Sequence, residues 1–132
     1  DGQGIKAALD LGAVAAQLGT AFILCPESAA NASYRENLKS ERASFTKLTS
    51  VLVGRPARGI VNRFITHGES IEAPTPAAYP VAYDAAKQLN AIANKLDNHQ
   101  FAAQWAGQGA PFAREMPAER LIKILIDELY VS

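Results

Sequence analysis

Ala16-Gln17-Leu18-Gly19-Thr20-Ala21-Phe22 is the stretch whose reading decides the fold. With Ala13, Val14 and Ala15 before it, residues 13–18 form an apolar run broken by one polar side chain, Gln17. A strand covered on both faces reads this way, because neither face has to alternate with polar residues. Gly19-Thr20 follows at what would be the carboxyl end of that strand. Upstream, Ile5-Lys6-Ala7-Ala8-Leu9 predicts a short helix over residues 4–10, with Gly12 as its stop signal. Helix, glycine turn, buried strand and Gly-Thr make up the repeating unit of a parallel α/β enzyme. In (β/α)8 barrels the loops after the seventh and eighth strands commonly build a phosphate site. The expected fold is α/β: the C-terminal part of a (β/α)8 (TIM) barrel including its last strand, with a largely helical additional region.

The bulk numbers fit a fragment of such a fold. The chain has 132 residues, 48% hydrophobic and 20% charged, the make-up of an ordinary globular domain. A complete barrel takes about 250 residues, so most strands are expected to lie outside this chain. Thirteen basic and 13 acidic side chains leave no net charge, and hence no long-range field for nucleic acid or an anionic membrane. Cys25 is the only cysteine, which excludes a disulfide framework and a Cys-based metal cluster. A cytoplasmic location is the simplest expectation. No apolar run approaches the length that spans a bilayer.

Three segments are expected: residues 1–28 as the end of a barrel, 29–116 as a mixed and mostly helical region, and 117–132 as a helix packing back on the barrel. Ser28 or Asn31 is positioned to cap a helix reaching about Arg42, and the alternating residues 46–53 read as a strand. Pro56 reads as a helix start, with Ile60, Val61, Phe64 and Ile65 as its apolar stripe. A long helix is expected from Pro80 to Asp97, a short one over 101–106 carrying Trp105, and a last one after Pro117.

Few residues carry a chemical signal. Backbone N–H groups at Gly19 and the Thr20 hydroxyl suit a phosphate, since glycine admits close approach of the oxygens. A plain strand-to-loop exit is the alternative. Gln17, if buried, must be hydrogen-bonded, either to a ligand or to neighbouring backbone. Arg55, Arg58 and Arg63 suit an anion, although bracing of loops is the commoner use of such residues. His67 and His99 sit in polar, turn-like sequence and lack a helix-spaced partner for metal binding. Cys25 reads as a small buried residue rather than a nucleophile. Tyr79, Tyr83 and Trp105 read as core or as the lining of a flat cofactor.

In combination these residues resemble a known family. Residues 1–13 (Asp-Gly-Gln-Gly-Ile, Ala-Ala-Leu, Leu-Gly-Ala), Gln17 to Phe22, Cys25-Pro26-Glu27, the Val53 to Gly59 stretch with Asn62-Arg63, Trp105-Ala106-Gly107-Gln108 and the closing amphipathic helix are similar to the last repeats of the nitronate monooxygenases, also called the 2-nitropropane dioxygenase family. The resemblance implies an FMN-dependent barrel that oxidises alkyl nitronates with O2 to carbonyl compounds and nitrite. It implies that Gln17, Leu18, Gly19 and Thr20 hold the cofactor's phosphate and the adjoining ribityl region. The family's paired phosphate-binding glycines and its catalytic histidine would precede Asp1, so no catalytic residue is expected here and the chain alone is expected to be inactive. The missing N-terminal part of the barrel, or a second copy of the chain, is the expected partner. An FMN-dependent enoyl-thioester reductase of related fold and a non-catalytic interaction module are the alternatives.

Overall fold

The computed structural model describes residues 1–130. Helix α1 (Gly2–Asp10) starts at Asp1, whose carboxylate accepts the Gly4 N–H at 2.8 Å, and stops at Leu11 before Gly12 in the left-handed region (φ 100°). The chain then runs through residues 13–18 to a one-turn 3-10 segment, Thr20–Phe22. Helix α2 (Ala32–Lys39) takes Asn31 as its cap and ends before a second 3-10 turn, Glu41–Ser44. Strands β1 (Thr46–Thr49) and β2 (Ala57–Ile60) pair antiparallel, with Thr46 opposite Ile60 and Thr49 opposite Ala57. Helix α3 (Arg63–Gly68) follows at once, then α4 (Val81–Lys95) and α5 (Ala118–Leu129).

The packing forms three small cores rather than one. Leu24, Leu38, Ala43, Ile60, Ala106 and Ala110 make the central one, which Tyr34 flanks. Leu52, Val53 and Ile65 lie beneath Phe64, Tyr83 and Trp105. Cys25, Leu121 and Leu125 bind α5 to Ile5, Leu18 and Phe22, so α1 and α5 lie against one another. Two polar ties hold that last unit. Glu128 accepts the Gly2 N–H at 2.7 Å and a two-pronged Arg114 guanidinium at 2.7 and 3.0 Å. Pro117 has no side chain that can cap α5, and Glu27 instead reaches across to accept the Ala118 N–H at 3.0 Å.

Four expectations change. Residues 13–18 belong to no helix or strand, and Ala13 to Gln17 are exposed, because the ladder partners that would make them a buried strand are not in this chain. Residues 57–60, expected within a helix, form β2: Gly54 (φ 77°) turns the chain back, and the helix waits for Asn62, whose side chain accepts the Ile65 N–H. The first strand stops at Thr49, and residues 50–53 form the turn. Residues 101–106 are not a helix. Gln104 and Ala106 extend the hairpin beside β2, with Ile60 N–H donating to the Gln104 carbonyl at 2.8 Å and Ala106 N–H to the Arg58 carbonyl at 3.1 Å. Of the expected terminal segment, residues 131 and 132 lie outside the described residues.

Candidate functional site

Gly19 and Thr20 open one wall of a recess of about 400 Å³, and segments distant in sequence supply the rest: Ile23, Tyr34, Arg58 and the Trp105-Ala106-Gly107 backbone. The Thr20 hydroxyl joins the two halves, accepting the Gly107 N–H at 2.9 Å. A hydroxyl that accepts in this way keeps its own proton free to donate. Among the described residues the N–H groups of Gly19 and Thr20 have no acceptor, so two backbone donors stand at this wall. Gly19 has an ordinary right-handed backbone (φ −113°, ψ −61°), and a Cβ there would meet nothing within 4 Å. Neither backbone conformation nor packing within the chain requires glycine at this position. An open, donor-rich loop of this kind is what a bound oxyanion uses.

The opposite wall is fixed by Tyr34. Its hydroxyl donates to the Trp105 carbonyl, and burial pushes its pKa up to about 12, so it stays a neutral donor. Arg58 spends one guanidinium nitrogen on the Thr46 carbonyl, at 3.1 Å, and is among the residues that line the recess. The bracing expected of the arginines is therefore real, and Arg58 nevertheless lines the site. Arg55 instead lies over the Tyr79 ring at 4.9 Å, and Arg63 lines a separate surface recess with Arg42 and His67, so the three arginines do not converge.

Other candidates fall outside the recess. The Gln17 side chain is exposed, and Leu18 packs on the Cys25, Leu121 and Leu125 core, leaving only its backbone available at the loop. Cys25 is buried, and burial foremost raises its thiol pKa, which suits a core residue. His99 is held between Asn94 and Asp97 at 3.0 and 3.1 Å. Trp105 divides two spaces: its far side lines a tighter cavity of about 150 Å³ with Tyr83, Lys87, Asn90 and Phe101. The buried Asn90 Oδ1 has no partner among the described residues, and the Lys87 ammonium lies 4.8 Å above the Tyr83 ring. Tyr34 and Gly107 were not site candidates in the sequence, although Gly107 stands in the Trp105-Ala106-Gly107-Gln108 run. Only the pairing of Trp105-Ala106-Gly107 with Gly19-Thr20 reveals them, and no local spacing encodes a contact between residues 87 positions apart. Among the described residues no group of three or more His, Cys, Asp or Glu is placed to hold a metal, and no helix is long and apolar enough to cross a membrane.

The family model described as nitronate monooxygenase matches residues 1–128. The nitronate monooxygenase of Pseudomonas aeruginosa is 55% identical over 129 residues, covering 98% of this chain and 37% of that protein. That of Paraburkholderia phytofirmans is 48% identical over 132 residues, covering 100% of this chain and 36% of the relative. Among solved structures, nitroalkane oxidase from Streptomyces ansochromogenes superposes with a TM-score of 0.87 at 43% identity, over 97% of this chain and 36% of that one. FabK from Thermotoga maritima gives a TM-score of 0.74 at 27% identity, over 98% and 41%. The chain thus spans little more than a third of the length of the relatives it matches.

Proposed function

The chain belongs to the nitronate monooxygenase family, and on that premise we propose that it is part of an FMN-dependent enzyme that oxidises alkyl nitronates with O2 to a carbonyl compound and nitrite. The observation that carries this reading is the Gly19-Thr20 wall, with its free backbone donors, its unfilled space beside Gly19 and its oriented Thr20 hydroxyl. These residues fit the phosphate end of FMN. Gly19 and Thr20 would hold phosphate oxygens, Gln17 and the Leu18 backbone the adjoining ribityl region, and Arg58 would offset part of the negative charge. When bound, FMN supplies the redox chemistry between the nitronate and O2.

This chain's own contribution is binding and orientation. Tyr34 fixes the Trp105 carbonyl, and Thr20 fixes Gly107, so the recess keeps its shape before a cofactor arrives. No residue here is proposed as the catalytic base. That group and the other phosphate-binding glycines would come from the part of the relatives' length that this chain does not span. Residues 1–28 would complete the barrel, 29–116 would form the additional region, and the helix of segment 117–132 would pack back on the barrel. A cytoplasmic location agrees with the single buried cysteine.

The test is made on the protein of the relatives' full length. It should purify yellow and release FMN on denaturation; absence of both flavin and nitronate-dependent O2 uptake would reject the reading. Residues 1–132 alone should show no turnover. Thr20→Val should weaken FMN binding about tenfold, from loss of roughly one hydrogen bond to a charged group, and Thr20→Ser should restore it. An unchanged affinity for both would move the phosphate elsewhere.

A further inference from the structure

The chain leaves the Gly19-Thr20 wall through a string of tight turns. Phe22 N–H donates to the Gly19 carbonyl at 3.0 Å, Ile23 to Thr20 at 3.2 Å, Cys25 to Phe22 at 3.2 Å and Ser28 to Cys25 at 2.9 Å. Turns of this kind hold their shape weakly, because each bond is poorly aligned and the run does not propagate. One side chain supplies what they lack. Arg35 of α2 donates from Nε to the Ala30 carbonyl at 3.0 Å and from Nη1 to that of Leu24 at 3.0 Å. Its Nη2 donates to the carbonyls of Cys25 and Ser28, at 2.8 and 2.9 Å. Four of the five guanidinium N–H groups are thus spent on the main chain of residues 24–30. Leu24 and Cys25 are buried, so carbonyls there need a donor from the protein.

Consecutive positions on α2 therefore hold the two walls of the recess. Tyr34 bonds the Trp105 carbonyl, and Arg35 grips the segment into which the Gly19-Thr20 wall continues. Asn31 anchors both: its side chain accepts the Tyr34 N–H at 2.9 Å, and its carbonyl accepts the Arg35 N–H at 3.1 Å. Ile23 lies between the wall and the first gripped carbonyl, and it lines the recess itself.

We propose that Arg35 is the positioning residue of the phosphate wall, and that its fork sets the preference for a flavin that carries a phosphate over the same flavin without one. This rests on the site reading above. Arg35 is not among the residues that line the recess, so it acts through the wall and not on the ligand. Hydrogen bonds weaken steeply with misalignment, so the Gly19 and Thr20 donors select a phosphate only while their backbone is held to within about 0.5 Å. Lysine cannot replace the fork. It would keep the positive charge, but its three donors diverge from one nitrogen and cannot meet four carbonyls arranged around a planar group. Charge and shape are therefore separable by one substitution.

The experiment titrates full-length apoprotein with FMN and with riboflavin, which has the same ring and ribityl chain but no phosphate. Arg35→Lys should weaken FMN binding about tenfold, the loss of one well-aligned hydrogen bond to a charged group, and leave riboflavin binding unchanged. Thr20→Val, titrated alongside, should show the same selective loss. The double variant should lose less than the product of the two single effects, because both act on one set of donors. Equal losses for FMN and riboflavin in Arg35→Lys would mark a general brace of the fold and overturn the proposal, as would no loss for either. A selective loss in Thr20→Val with none in Arg35→Lys removes Arg35 and keeps the site. No selective loss in either variant removes the phosphate reading, and this proposal with it. Should Arg35→Lys fail to fold, the wild type decides by nuclear magnetic resonance. The Arg35 Nε–H signal should shift on addition of FMN and stay in place with riboflavin; an identical response to the two flavins refutes the link.

Discussion

Single residues here do their work across long sequence separations, and their charges make that testable. Glu128 is held well below its ordinary value of 4.5, to about 2, first by the Arg114 guanidinium and then by the Gly2 N–H. A carboxyl with a depressed folded-state pKa stabilises the fold fully above its unfolded pKa and loses that contribution as pH falls through the folded value. Wild type should therefore be more stable than Glu128→Gln at pH 6, with the gap closing between about pH 4.5 and pH 2. Urea midpoints across that range are the measurement, and a gap independent of pH would mean that the carboxylate contributes by shape alone. Glu69 is shifted in the same direction by its bonds to Lys47 and Thr49, which tie β1 to the end of α3. The Lys47 end of its pair is exposed, so salt should weaken that tie.

At the scale of elements, what could be read from the sequence was what local chemistry dictates. Gly12 marks the end of α1, and Asn31 and the Pro80 and Pro117 boundaries announce α2, α4 and α5, because a cap, a stop or a proline acts within four residues of itself. The hairpin was not legible. Ala57 to Ile60 has no alternation, and it is a strand only because β1 lies on one side and Gln104 to Ala106 on the other. Asn62 was the available signal, since a buried Asn three residues before a donor marks a helix start and places α3 after, not across, residues 57–60. Asn62 also donates to the Ala102 carbonyl at 2.7 Å, so Asn62→Ala strands two buried groups and should cost about 2–3 kcal/mol. Asn62→Asp keeps the cap and loses the second bond, and should fall between the two. Glu27→Ala removes the only side chain that caps α5 among the described residues and should cost about 1 kcal/mol, read as a lower urea midpoint with an unchanged slope. A loss near zero would show that water replaces the cap.

For the molecule as a whole, the Ala13 to Leu18 run tests whether the chain is the end of a barrel. Its composition is that of a buried strand, yet Val14 is fully exposed, and residues 14–18 make no backbone hydrogen bond among the described residues. Beside it Leu11 is 90% exposed, and Ile122 and Ile126 of α5 are about half exposed. A chain that completes its own fold does not leave such a run of donors, acceptors and apolar surface unused. The sequence spoke for the intact fold, and the structure shows what these residues do without their neighbours, which is why the two disagree at this segment. The consequence is measurable by amide exchange. In residues 1–132 alone the amides of 14–18 should exchange at close to unprotected rates, while in the full-length protein a central barrel strand should slow them by a factor of about 1000 or more. Addition of FMN should slow Gly19 and Thr20 further in the full-length protein. Equal exchange of 14–18 in the two species would mean that no strand pairs there, and that the barrel closes by some other segment.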